Sequence, residues 1–563
     1  MQNRTRLLSG QARRVLFVSV LVTVMLFLWL TDSPRASKPT SLSPLSPFSG
    51  HTPRYSPYYG GVSTRPIDLS SDPLPPNATL SERLGAWERA PGATPDVTMA
   101  HYARWNAEQC GANIHNQQHW YMLDTFGGQW AAYDMDAVLR IRSELIGYMR
   151  GVEVEGEVAR AHELRGRAIV MLAGGEGLRL VLWTVAMLRS YWCNLPIYIY
   201  HFESETPAAG DPLRLRLEAH NAILVPVSGV PKAPTGKSYH LKAHAIAAAP
   251  FRHILYLDSD STPTRNPEYM FDAPSYTRLG AYLTPDYFKT PGPNPLWAVA
   301  GLKCRNEWEA ESGQLLLDKA RHADVLALAR YMLTQHAKYF TFSDGDKDML
   351  RWSLLMLRKR WAVPGRYVAA AGFPEDTATG FCAHSMVQHD AWGSPFTVHW
   401  NLLKKHHRAS VRGHTWGRSV RMPLFDAPPT PATARLKGGA DGLGEGGADG
   451  RGDVDCDMLA DADEEGYARA PAHDDVMRRA IREQGVHSYW HGGVGTPFCL
   501  GLAYSDIRPA WRQEAAADEA AREADEVQPD WSSPLEVVDW ADDAHLKDFE
   551  ENLYTRFGFD LSY

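Results

Sequence analysis

Short apolar runs that end at Gly, Pro or Asp recur through the middle of the chain. They alternate with stretches in which apolar residues return every three or four positions. The runs are Ala168–Leu172, Pro196–Tyr200, Ala222–Val227 and Ile254–Leu257, and each predicts a buried strand. Between them a helix is predicted from Leu178, with Leu180, Val181, Trp183, Val185 and Leu188 on its apolar face, and another over Tyr239–Ala249. This alternation is the signature of a doubly wound α/β sheet. Upstream, Val138, Leu139, Ile141, Leu145 and Ile146 share one face of a predicted helix, Met135–Met149, which reads as a packing layer. Downstream, Gly280–Leu283 is strand-like, Thr290–Pro295 is rich in turn residues, and helices are predicted over Ala323–Thr334 and Met349–Arg358. Glu311–Lys319 follows the turn-rich stretch, and Val387–Asp390 and Thr397–Lys405 close this core.

The flanks differ in character. Arg4, Arg6, Arg13 and Arg14 precede an apolar run from Val15 to Leu30. The run is shorter than the ~20 residues of a full span, a length suited to thinner early secretory membranes. Its charge bias keeps residues 1–14 cytosolic and makes 15–30 a transmembrane signal anchor. A cleaved signal peptide is the rival reading, but Asp32-Ser33-Pro34 follows in place of a small-residue cleavage site. Residues 31–95 are dense in Pro, Ser and Thr and read as an extended stem, 96–164 as a helical N-terminal part, and 165–425 as the core. A Gly/Asp/Ala-rich insertion at 426–475 reads as disordered, and 476–563 as a C-terminal extension. Its aromatic end, with Tyr554, Phe557, Phe559 and Tyr563, is expected to dock on the core.

Composition narrows the class. The 563 residues are 44% hydrophobic, ample for a large core, and a net charge of -8 argues against a nucleic-acid partner. Six cysteines all lie beyond the apolar run, where the topology permits disulfides; none forms a CxxC pair, which disfavours a zinc site. Their pairing is not readable. Asn77-Ala78-Thr79 is a glycosylation sequon.

The chemistry concentrates where the fourth strand ends. Asp258-Ser259-Asp260 follows Ile254–Leu257 at once, and ligands of open α/β sheets bind beyond the carboxyl ends of strands. Two aspartates one residue apart offer hard oxygen ligands to Mg²⁺ or Mn²⁺, which in turn holds a diphosphate. An ordinary strand-to-turn boundary is the plain alternative. The glycine turn Gly174, Gly175, Gly177 after the first strand makes a nucleotide cradle plausible, although Leu180 replaces the third glycine of a dinucleotide fingerprint. Gly236-Lys237-Ser238 is rejected as a phosphate loop because Pro231 stands where its first glycine belongs.

Taken in order, Arg165–Val170, Leu195-Pro196-Ile197, Leu255–Asp260, Asn266-Pro267, Glu311-Ser312-Gly313-Gln314 with Asp318-Lys319, Gly345-Asp346-Lys347-Asp348, Gln388-x-Asp390 and His399-Trp400-Asn401 resemble the fungal Golgi α-mannosyltransferases of mannan and outer-chain synthesis, both α-1,2 and α-1,3 branches. The likeness covers roughly Arg165 to Lys405. It implies a GT-A-type nucleotide-sugar transferase fold, a Rossmann-like mixed sheet flanked by helices. It further implies GDP-mannose as donor, Mn²⁺ (or Mg²⁺) as cofactor and retention of the α configuration. The acceptor would be a mannose hydroxyl on a glycoprotein or polysaccharide glycan. The location would be the Golgi membrane, in single-pass type II topology with the catalytic part lumenal, and a Golgi transferase complex is a conceivable assembly. In such enzymes a late histidine often completes the metal site, and His399 has that position beside Asp258 and Asp260. Lys404 or Lys405 is then a point charge for the departing diphosphate, with a solvated surface pair as the alternative. Lys242 is placed on the nucleotide, and the glycine turn at base and ribose. Asp346 is assigned to the donor sugar hydroxyls and Asp348 to the anomeric centre or acceptor, an N-cap role for one of them being the sober alternative. Glu311 is the acceptor-side base or the residue facing the oxocarbenium ion. The rivals are a retaining transferase for a UDP-hexose and a non-catalytic glycan-binding protein on the same fold.

Overall fold

The computed structural model describes residues 73–90, 118–233, 238–304, 307–374, 383–403, 413, 415–421, 485–491, 499–505 and 536–559. The four apolar runs form strands β1 (Arg167–Leu172), β2 (Ile197–Phe202), β3 (Ala222–Val227) and β4 (His253–Leu257), all parallel. After the short β5 (Ser261–Pro263) come β6 (Ala281–Lys289) and β7 (Trp308–Asp318). Strand β7 inserts antiparallel between β4 and β6, giving the order β3-β2-β1-β4-β7-β6. The sheet is therefore mixed α/β. Every residue of β7 is buried, so the stretch Glu311–Lys319 shows no alternation that would mark it as a strand.

Alternation in β1 assigns the two layers. Ala168 and Val170 face a core shared with α3 (Met135–Met149), α7 (Leu241–Ala248), α8 (Lys319–Thr334) and α9 (Met349–Met356), while Ile169 and Met171 face α5 (Gly177–Ser190) and α6 (Pro212–Ala219). Two further helices, α2 (Trp120–Ala131) and α4 (Val152–Ala161), extend the first layer.

The composition of residues 31–95 predicts a stem to its end, but the structure corrects the last part. Leu80–Glu88 is a helix, α1, opened by a capping box in which Thr79 and Glu82 satisfy each other's backbone N–H groups. Leu84 and Trp87 are buried, Trp87 Nε1 donates to Val299 O at 2.8 Å, and Arg83 donates to Leu357 O at 3.1 Å. Pro and Ser density masked a local signal, T-x-x-E before an apolar pair.

A second sheet, all antiparallel, was not apparent in the sequence because its strands run only three to five residues. It contains β5, β8 (Ala369–Gly372), β9 (Ser385–His389), β10 (Pro395–His399) and β11 (Arg418–Arg421), and it ends on β14 (Glu536–Asp539), in the order β14-β11-β8-β9-β10-β5. Strands β12 (Gly485–His491) and β13 (Cys499–Ser505) pair as a separate hairpin. Phe559 is buried 4.8 Å from the Trp183 ring and 5.4 Å from Trp400, so the aromatic end of the chain packs on this second core. Cys304 is disulfide-bonded and Cys193 is a free, buried thiol. The apolar run 15–30, the insertion 426–475 and Tyr563 lie outside the described residues. Among the described residues no helix is long and apolar enough to cross a membrane.

Helix α8 bends at His322 (φ −129°), whose Nε2 hydrogen-bonds the Leu279 carbonyl at 2.8 Å. Burial, reinforced by Lys359, depresses this imidazole to about 4. The unfolded chain takes up a proton near its ordinary value of 6.5 while the folded chain does not, so the fold loses stability as pH falls between those values. Wild type should lose up to about 1.4 kcal/mol per pH unit from this group across that window. His322→Gln should flatten the slope; equal slopes in urea titrations of the two proteins would show that another group sets the acid limit.

Candidate active site

Two registers assemble the site. In the first sheet Leu257 pairs with Gln314, and the Asp258 N–H donates to Gly313 O at 2.7 Å, which fixes the Asp258 turn against β7. In the second sheet His399 pairs with Ser261, and the Trp400 N–H donates to Asp260 O at 3.0 Å. The turn Asp258–Asp260 is therefore the joint between the two sheets. It carries one carboxylate toward each.

Ligand atoms of Asp258, Asp260 and His399 lie within 4.8 Å of one another. Asp260 is 5% exposed and its Oδ1 is 3.1 Å from His399 Nε2; Asp258 is half-buried, and its Oδ1 accepts from the Tyr256 hydroxyl at 2.6 Å. His399 Nδ1 in turn lies 3.0 Å from Glu311 Oε1, an ion-pair distance off hydrogen-bond alignment. Burial disfavours the imidazolium, but Glu311 and Asp260 outweigh it and raise the histidine well above its ordinary value. The same pairing, with help from the Gly313 N–H and Gln314, holds the Glu311 carboxyl low despite its burial. Two carboxylates and an imidazole converging in a buried, over-negative corner are a donor set that fits Mn²⁺ or Mg²⁺. A cation would stand where His399 now shares its proton with Asp260, and Glu311 would orient the ring from behind, the usual carboxylate–histidine arrangement.

Lys242, in the first turn of α7, is the second counter-charge. Its Nζ lies 2.9 Å from Asp346 Oδ2, off hydrogen-bond alignment, 3.3 Å from Asp258 Oδ1, and donates to Ser312 O at 2.9 Å and Ser312 Oγ at 2.8 Å. Burial opposes its charge, yet Asp258, Asp346 and Glu311 keep it above the ordinary lysine value. Asp346 is raised, chiefly by burial, against the pull of Lys242.

Asp348 stands apart from this group. Its Oδ1 accepts the Ala310 N–H at 2.8 Å, its side chain makes no cap bond, and Lys347 and Arg351 approach at 3.7 and 3.6 Å. It belongs to a neighbouring buried cluster in which Lys347 pairs with Asp286 at 2.5 Å and with Glu309, and His119 Nδ1 lies 2.8 Å from Glu309 Oε2. Burial and Glu309 push Asp348 up to about 6. Gly174, Gly175 and Gly177 follow β1 at the same sheet edge as Asp258, since β1 and β4 are parallel neighbours. The turn is backed by Glu205, whose Cδ would lie 2.6 Å from a Cβ on Gly174. Lys404 and Lys405 lie outside the described residues.

Two residues of the site carry no role in the motif reading. Gln314 is buried inside β7; its Oε1 accepts from Ser261 Oγ at 2.9 Å and Thr397 Oγ1 at 2.7 Å, and its amide donates to Thr284 Oγ1 at 2.6 Å and to Glu311. It ties both sheets to the glutamate. Gly313 leaves no room for a side chain, because a Cβ there would come within 2.6 Å of His399 Nδ1 and 2.7 Å of Glu311 Oε1. The available signal was a Glu-Ser-Gly-Gln break in front of the apolar Leu315–Leu317 run.

Comparison with known proteins places this core. Residues 166–307 and 303–390 match the family described as "Mannosyltransferase putative". The curated relatives include the Candida albicans α-1,2-mannosyltransferase MNN24, 25% identical over 33% of this chain and 32% of that protein. They also include MNN22, 28% identical over 39% of this chain and 45% of that protein. The alignments thus span less than half of either relative's length. Solved structures that align with the chain include a galactosyltransferase, LgtC, with donor and acceptor sugar analogues (15% identity, 35% of this chain, 73% of that one, TM-score 0.25). That score lends the comparison no weight. The resemblance to the fungal α-mannosyltransferase family drawn from the ordered motifs is borne out over residues 166–390.

Gly313→Ala tests the cradle. It should weaken Mn²⁺ binding, measured calorimetrically, by about 10–100-fold through displacement of His399, with secondary structure retained. Unaltered Mn²⁺ affinity in a folded variant would mean that His399 does not ligate.

Proposed function

We propose that this protein is a retaining, metal-dependent α-mannosyltransferase on a GT-A-type fold that moves mannose from GDP-mannose to a mannose hydroxyl of a glycan, anchored in the Golgi membrane by residues 15–30. The observation that carries the reading is the convergence of Asp258, Asp260 and His399 at the carboxyl edge of the parallel strands, beside the glycine turn. The mannosyltransferase pattern of residues 166–390 supports the sugar.

Asp258, Asp260 and His399 would hold a divalent ion, which supplies Lewis-acid stabilisation of the nucleoside diphosphate leaving group. Glu311 is paired with His399 and bonded by Gly313 and Gln314, so its part is to position the histidine. That takes it out of the role of acceptor-side base. Lys242 neutralises Asp258 and Asp346, letting both carboxylates stay close in a buried site. Asp346 would accept hydrogen bonds from hydroxyls of the donor sugar. Asp348, bonded to the Ala310 N–H, anchors that loop to β7 and would act as a positioning residue. Front-face attack needs no enzymic nucleophile, and none is assigned.

The reading is tested by transfer from a panel of nucleotide sugars to α-mannobiose. Turnover should require GDP-mannose, vanish with EDTA and return with Mn²⁺, and Asp260→Asn should lower kcat/KM by at least about 100-fold. Turnover of a UDP-hexose alone would overturn the donor, and full activity of Asp260→Asn would overturn the site.

A further inference from the structure

At the opposite end of β10 from His399, the link from β9 is held with unusual firmness. Asp390 is fully buried; its Oδ1 accepts the Trp392 and Ser394 N–H groups at 2.9 Å each, and its Oδ2 takes Arg265 and the Tyr269 hydroxyl, the latter at 3.0 Å. Behind the turn a Cβ on Gly365 would come within 2.7 Å of Ala391 O and 2.8 Å of Gly393 N. The turn cannot collapse inward, and it leaves Trp392 54% exposed, with its ring 5.9 Å from that of Tyr269. The guanidinium of Arg265 lies 4.3 Å from the Tyr269 ring centre. The turn thus presents an indole face to solvent in a fixed place, a surface on which the apolar face of a ligand ring can stack.

Beside this turn lies a cavity of about 210 Å³, between the second sheet and the C-terminal segment 543–546. Its polar lining is Arg366, His389, Ser394, Ser419, Asp543 and His545. One guanidinium faces one carboxylate, so the lining is balanced in charge, and imidazoles and hydroxyls supply both donors and acceptors. An anion or a metal would find no excess of opposite charge there, and a wall of this polarity offers an apolar ligand little contact. A compact, uncharged molecule with many hydroxyls suits both the size and the lining. Pro395, which also lines the cavity, is four residues along β10 from His399, about 13 Å in an extended strand. The cavity is thus distinct from the metal site.

We propose that this cavity, with Trp392 beside it, is a second carbohydrate site that takes one neutral hexose unit of an oligosaccharide. The aromatic ring would pack on the apolar face of an adjoining sugar, while the cavity wall satisfies hydroxyls. Only the expectation that the hexose is mannose rests on the proposed function; the site itself stands without it. Ala544 is exposed on the rim of the cavity, so Ala544→Trp blocks the entrance without disturbing the core.

Binding of α-mannotriose and of maltotriose is measured by isothermal titration and saturation-transfer NMR, without donor, so the result does not depend on turnover. At least one trisaccharide should bind the wild type and the Asp260→Asn protein with affinities within about twofold of each other. Ala544→Trp should weaken that binding by at least about tenfold, and Trp392→Ala by at least about fivefold. Binding of neither sugar, or binding indifferent to both Ala544→Trp and Trp392→Ala, overturns the site, and it does so whether or not GDP-mannose is turned over.

Discussion

Four carboxylates, those of Asp258, Asp260, Glu311 and Asp346, are gathered where two sheets meet, and three of them are buried. Uncompensated, such a group would neutralise itself by taking up protons or would open the fold to water. The structure instead provides two buried cations. Lys242 stands between Asp258 and Asp346, and His399 between Asp260 and Glu311. This balance governs the rest. The lysine is fixed, whereas the histidine is a base whose proton a metal ion can replace, so the pocket keeps one exchangeable positive charge.

Holding that balance requires backbone precision. Strand β7 passes through the middle of it, placing Ser312 on Lys242, Gly313 under His399 and Gln314 on Glu311 within three consecutive residues. Farther along the same strand, Glu309 serves the neighbouring Lys347 and His119 cluster. The antiparallel insertion of β7 between β4 and β6 thus explains why this strand is polar at one end and apolar at the other. Its Leu315–Leu317 end fills the core, and its Glu309–Gln314 end is active-site wall.

Much of this was legible in the chain. Strands β1 to β4 announce themselves as short apolar runs, and Asp258-Ser259-Asp260 at the end of the last one marks the chemistry. His399 was found by its order among motifs, for nothing local distinguishes it from a structural histidine. Strand β7 was hidden because burial on both faces erases the period of two. Gln314 was hidden for a related reason, since its value lies in joining Glu311 on its own strand to three partners distant in sequence, Ser261, Thr284 and Thr397. The folded helix at Leu80–Glu88 was lost under the composition of its neighbours. Asp346 and Asp348 look equivalent around Lys347, and only the tertiary placement of Lys242 and of Ala310 N–H separates a site carboxylate from an anchoring one.

The central claim is that Asp258, Asp260 and His399 hold a divalent ion in common. An anomalous-difference map recorded at the manganese edge, from crystals grown with Mn²⁺ and GDP, tests it most directly. The account predicts a single strong peak within about 2.5 Å of ligand atoms of Asp258, Asp260 and His399, with Glu311 behind the imidazole and outside that distance. A peak coordinated elsewhere, or none at this corner while GDP is bound, would contradict it.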